Sequence, residues 1–86
     1  MANATLISHD SQIPTREVES LGDTFSLAEM QKLVDGHIEL VRMDRVLMVV
    51  NEEGMLLGLP INYKASAVAG TIIRGNALLG DEGMIK

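Results

Sequence analysis

Cysteine and tryptophan are absent from this 86-residue chain, and Phe25 and Tyr63 are its whole aromatic content. Without Cys there is no disulfide framework, no thiol nucleophile and no thiolate metal site, and the expected location is cytoplasmic. Basic residues are also scarce: 7 Lys+Arg stand against 12 Asp+Glu, a formal net charge of −5. Nonspecific nucleic-acid binding needs a basic face that displaces counterions, so nucleic acid is not an expected partner. No apolar run approaches the ~20 residues that cross a bilayer, so no membrane partner is expected either. The opening residues include His9 and Asp10 and do not read as a signal peptide.

Apolar side chains are what the sequence does have. Hydrophobic residues are 47% and charged residues 22%, a balance that excludes a disordered acidic tail. Their distribution divides the chain near residue 24. From Met1 to Thr24 the apolar residues Leu6, Ile7, Ile13, Val18 and Leu21 follow neither a helical nor a sustained strand period, and Pro14 and Gly22 interrupt them. That stretch reads as a flexible N-terminal arm with one short strand around Thr5 to Ser8; the alternative is an ordered edge strand packed on the domain. From Phe25 onward 32 of 62 residues are Ala, Val, Ile, Leu, Met, Phe or Tyr. Residues 25–86 therefore read as a single small domain.

Local signals within that domain are specific. Ser26 and Glu29 have the spacing of a capping box, and Phe25 and Met30 that of a hydrophobic staple. Leu27, Met30, Leu33 and Val34 then share one helical face, which predicts a helix over Leu27 to Asp35, stopped by Gly36 in the left-handed conformation. His37 to Met43 and Arg45 to Asn51 read as a β-hairpin across Asp44-Arg45. Asn51-Glu52-Glu53-Gly54 reads as a turn that ends on a positive φ at Gly54. Met55 to Leu59 reads as a short third strand bent at Gly58 and stopped by Pro60. Asn62 is a good N-cap for a second helix, Tyr63 to Ala69, with Gly70 behind it. Thr71 to Ile73 and Asn76 to Leu79 read as a last strand pair or one strand bulged at Gly75. The fold class is α+β: a small, mainly antiparallel sheet with two short helices, in the order α-β-β-(β)-α-β.

Enzyme signatures fail at their first step. His9 and His37 belong to no metal-ligand spacing, and a histidine beside a strand is most simply a surface or packed residue. The serines lack a nucleophile-elbow context, and adjacent Glu52 and Glu53 are most simply solvated turn charges. The glycines have neither dinucleotide nor phosphate-loop spacing. No catalytic residue, metal ligand or cofactor is expected. The polar residues left over gather at the second helix. Asn62, Tyr63 and Lys64 bring a cap, a ring and a cation within three positions, and a helix start favours an anion. Arg74 and Asn76, on either side of Gly75, would close the other side of a nucleotide-like ligand site. The simpler alternative packs Tyr63 on the sheet edge and leaves Lys64 in solvent.

The pairing of Asn51-Glu52-Glu53-Gly54 with Gly58-Leu59-Pro60-x-Asn62, together with Gly75-Asn76-Ala77-Leu78-Leu79, resembles a family of small uncharacterised proteins of phages and plasmids, a domain of unknown function. The resemblance runs from about Phe25 to Leu79 and leaves residues 1–24 outside. It implies an accessory protein of a mobile element, acting in the host cytoplasm, with no reaction assigned. The resulting expectation is a non-enzymatic protein that sequesters a small anionic ligand, in a setting that fits a counter to host defence. The alternative is a protein–protein inhibitor of a host enzyme or defence complex. Self-association is expected as well. Val46 to Val50 is apolar without a break, both faces of that strand must be covered, and two short helices on one face would leave the other bare.

Overall fold

A computed structural model describes residues 1–85 of the chain. Seven regular elements and one 3₁₀ turn follow in order: β1 (Asn3–Ile7), β2 (Arg16–Glu19), α1 (Leu27–Val34), β3 (Ile38–Arg42), β4 (Leu47–Asn51), α2 (Tyr63–Ala69), β5 (Ala77–Gly80) and the turn Glu82–Met84. The strands form one sheet in the order β2-β1-β5-β4-β3, and every neighbouring pair is antiparallel. The α+β class, the antiparallel sheet and the two short helices are those the sequence indicates. From Leu27 on, the order α-β-β-α-β is met and the optional third strand is absent.

Residues 1–24 are not a detached arm. β1 lies between β2 and β5 and pairs with both. Its Ala4, Leu6 and Ile7 are buried. The segment after β2 is tied down as well: the Ala2 N–H donates to Ser20 Oγ at 2.9 Å, and the Phe25 N–H to the Met84 carbonyl at 2.7 Å. β1 escapes a periodicity search because five residues are too few to establish a period, and its partners lie up to 74 positions away in register pairs such as Thr5 with Leu79. β2 has the sequence Arg-Glu-Val-Glu, which only an edge strand tolerates.

Alternation along β4 explains its unbroken apolar run. Leu47 and Val49 join Met30 and Val34 of α1 in one cluster, with Ala4, Leu6, Phe25, Leu78 and Met84. Met48 and Val50 point the other way, to a second cluster with Ile7, Ala65 of α2, Ile73 and Ala77. The helices therefore sit on opposite faces, and the chain covers both faces of β4 by itself. The premise that the two helices share one face is overturned.

The capping box is present in full. Ser26 Oγ accepts from the Glu29 N–H at 3.1 Å, and Glu29 Oε1 accepts from the Ser26 N–H at 2.8 Å. The far end of α1 differs from expectation. Asp35, at φ 63°, takes the left-handed position rather than Gly36. Asp tolerates that conformation better than most residues. Gly36 is needed for space instead, since a Cβ there would come within 2.8 Å of Asn51 Nδ2. That amide donates to the Val34 carbonyl at 3.0 Å, so Asn51 ties the end of α1 to β4.

Candidate functional site

Two corners of the α2 face carry the polar and apolar groups free of core duties. The first is the α2 start, where Asn62 is a keystone of the fold rather than a ligand group. It is 1% exposed, and its Oδ1 accepts from the Ala65 N–H at 3.0 Å. Its Nδ2 donates to the carbonyls of Ile7 and Gly75, each at 2.9 Å. Both amide donors are thus committed to β1 and to the turn before β5, and Asn62 has none to offer an anion. Tyr63, 74% exposed, and exposed Lys64 stand in solvent beside it. The ring does not pack on the sheet edge.

Arg74 and Asn76 also hold structure. Arg74 Nη1 donates to the Leu59 carbonyl at 3.1 Å, while its buried Nε has no partner. Asn76 Oδ1 accepts from the His9 N–H at 3.2 Å, and its Nδ2 donates to the Leu33 carbonyl at 3.5 Å. The five residues are drawn together only in part: Asn62 bonds Gly75, which lies between Arg74 and Asn76, whereas Tyr63 and Lys64 face outward. Arg74 alone of the five lines a cleft described below.

The second corner is a cleft of about 250 Å³ on the same face, beyond the reach of α2. Val41 of β3 and Val50 of β4 line it, with Met55 from one connection and Thr71 to Arg74 from another. Its ionisable groups are Glu39, Glu52 and Arg74. The connection between β4 and α2 is a succession of turns rather than a strand. The Leu57 N–H donates to the Glu53 carbonyl, the Gly58 N–H to Met55, and the Leu59 N–H to Gly54. Gly58, at φ 67°, supplies the left-handed step; Gly54 does not. Gly54 is small because a Cβ there would meet Arg74 Cβ at 3.0 Å and the Arg74 carbonyl at 3.3 Å.

These turns lift a row of apolar side chains into water. Met55 is 77% exposed, Leu56 85% and Leu57 57%, and Ile72, across the cleft, is 66% exposed. Scattered exposed apolar residues are ordinary; here exposed Met55 and Ile72 both line the cleft, and Leu56 and Leu57 follow Met55 in sequence. This rim went unrecognised in the sequence because Met55 to Leu59 passes for a strand. The available signal was three consecutive apolar residues after a turn, with neither alternation nor helical spacing.

A wider groove of about 400 Å³ opens on the α1 face between β2 and α1. Leu21, 88% exposed, is the single strongly exposed large apolar residue along it, beside Arg16, Glu17, Glu19, Glu29 and Lys32. Two backbone N–H groups, of Ser26 and then Leu21, hold the Glu29 carboxyl below its ordinary pKa. That carboxylate serves the helix cap. Among the described residues, no group of three or more His, Cys, Asp or Glu is placed to hold a metal ion. No described helix is long and apolar enough to cross a membrane.

Comparisons with known proteins yield a family and nothing closer: no curated protein and no solved structure matches the chain. The family match covers residues 2–83, so it takes in β1 and β2, which the resemblance read from the sequence had left outside. The chain belongs to DUF3846, a domain of unknown function.

Proposed function

We propose that this protein is a non-enzymatic binding module that grips a protein partner at the cleft between β3–β4 and the Met55–Leu57 turns. The observation that carries this reading is a cleft lined by Val41, Val50 and the exposed Met55 and Ile72, with exposed Leu56 and Leu57 next to Met55 in sequence. Exposing such a group costs solubility, and a partner's apolar side chain is what fits it. Glu39 and Glu52 outnumber Arg74 in the cleft, and the whole chain is acidic. The fitting partner segment is therefore an apolar side chain flanked by Lys or Arg. The mobile-element setting implied by the resemblance, with a host enzyme or defence complex as the target in the host cytoplasm, belongs to the same proposal.

The test is partner capture by the wild type and by a Met55→Ser, Leu56→Ser, Ile72→Ser triple variant, at low and high salt. Retention should be lost in the triple variant and weakened by salt, since exposed charges are screened. Equal retention by both proteins would remove the rim from consideration.

One observation favours a second reading, capture of a small anionic ligand. The buried Arg74 Nε lacks a partner, and Tyr63 and Lys64 stand free nearby in sequence to Asn62. A nucleotide at a hundred times its Kd would add ~2.7 kcal/mol of stability, visible as a thermal shift. Tyr63→Ala with Lys64→Ala should abolish that shift. The two carboxylates in the cleft count against this reading.

A further inference from the structure

We infer that two copies of this chain join through the free edge of β3, antiparallel and centred on Leu40, so that the 5-stranded sheet continues from one copy into the other. This goes beyond the partner reading and does not depend on it.

The two edges of the sheet are unlike. β2 presents Arg16, Glu17 and Glu19 around one Val, the charged kind of edge that discourages strand addition. β3 is Ile-Glu-Leu-Val-Arg, with five consecutive pairs to β4 and no bulge or proline. Its hydrogen-bond parity is fixed at both ends. The Glu52 N–H donates to the His37 carbonyl, and the Met43 N–H to the Val46 carbonyl. Odd-numbered residues of β3 therefore bond β4, and the N–H and C=O groups of Ile38, Leu40 and Arg42 point outward. Among the described residues, no hydrogen bond from elsewhere in the chain meets those groups.

That outward set is complementary to itself. Centred on Leu40, Ile38 of one copy meets Arg42 of the other and Leu40 meets Leu40, so all three residues on each edge are paired. On the cleft side, Glu39 of each copy then lies opposite Val41 of the other. Shifting the centre to position 39 would set Glu39 against Glu39 and leave Arg42 unpaired, a like-charge contact that disfavours that register. A two-fold antiparallel join of this kind is closed and cannot propagate. It also sets Val41 of the two copies diagonally across the join, so that the two clefts open into one trough.

The test reads amide exchange and mass together over a dilution series. In the wild type, the N–H groups of Ile38, Leu40 and Arg42 should be protected at high concentration and released on dilution. Those of Glu39 and Val41 should stay protected throughout. Sedimentation should give twice 9.3 kDa at the concentrated end. Arg42→Pro removes an outward N–H and no bond to β4, so it should be monomeric at every concentration, with the melting midpoint of the diluted wild type; Arg42→Ala should remain dimeric. A wild-type mass of one chain at every concentration would overturn the inference. So would a dimer whose Ile38, Leu40 and Arg42 amides exchange equally fast at both ends of the series.

Discussion

The two faces of the sheet are finished differently. On the α1 face, a helix capped at both ends by side chains lies over β3, β4 and β5, and Met84 closes the margin. Met84 fits because Gly80 and Ala4 beneath it are small: a Cβ at Gly80 would collide with the Met84 sulfur. On the other face α2 has seven residues and places only Ala65 fully in the core. The strip of β3 and β4 it leaves uncovered becomes the cleft, and the turns beside it carry their apolar side chains outward. One face is built to be stable. The other is stable enough to present a surface.

The largest effect that can break this comparison comes from β1, which serves both faces. Removing residues 1–22 should abolish cooperative unfolding altogether, because it opens the sheet at β5 and strips Ala4, Leu6 and Ile7 from the two clusters. Circular dichroism during a thermal ramp would report it, and a retained sharp transition would mean that residues 1–24 are dispensable after all. Next in size, Leu78→Ala on the α1 face should cost about 2–5 kcal/mol, the range for deleting a fully buried leucine. Denaturant titration measures this directly. On the α2 face, the most sensitive position is polar. Asn62→Ala should cost about 2–3 kcal/mol, since it removes a helix cap and leaves the Ile7 and Gly75 carbonyls buried and unpaired. A loss below half that size would return Asn62 to the ligand-binding candidates.

The capping box gives a smaller effect with a defined pH dependence. Ser26→Ala should cost about 1 kcal/mol. The Glu29 carboxyl has a folded-state pKa below its ordinary value, so the unfolded chain takes up its proton first as pH falls. Its contribution is therefore complete above the ordinary carboxylate range and is lost as pH drops through that range to the lower folded value. Glu29→Gln should remove this component, and the difference between wild-type and variant melting midpoints should shrink at acid pH. A difference independent of pH would mean that the box works without the charge.

What the sequence made legible is local. Ser26, Glu29, Asn62 and Gly70 take their roles from neighbours within four residues, and each occupies the capping position its spacing indicates. What it hid is non-local. Only Thr5 to Ser8 hints at a strand; Arg16–Glu19 becomes one because β1 lies beside it, and β1 is held in the sheet by Leu78 and Leu79. Nothing in α2 says which face of the sheet it will cover, and on that choice rests whether Met48 is core or interface. The residues read together as a site part company in the fold. Tyr63 and Lys64 are exposed as a binding role requires, Asn62 is absorbed by the fold, and the Met55–Leu57 rim was concealed by its likeness to a strand. The Arg45 turn shows the same limit: its φ of 63° is a left-handed position that the side chain does not advertise.

The most direct test of this division of labour is the melting midpoint of the Met55→Ser, Leu56→Ser, Ile72→Ser variant. These side chains are between 66% and 85% exposed, so each substitution should cost about 0.5 kcal/mol or less, the usual scale for surface changes. The account predicts a cooperative transition close to that of the wild type. Loss of the cooperative transition would contradict it, because the rim would then be part of what holds the sheet together rather than a surface kept free for a partner.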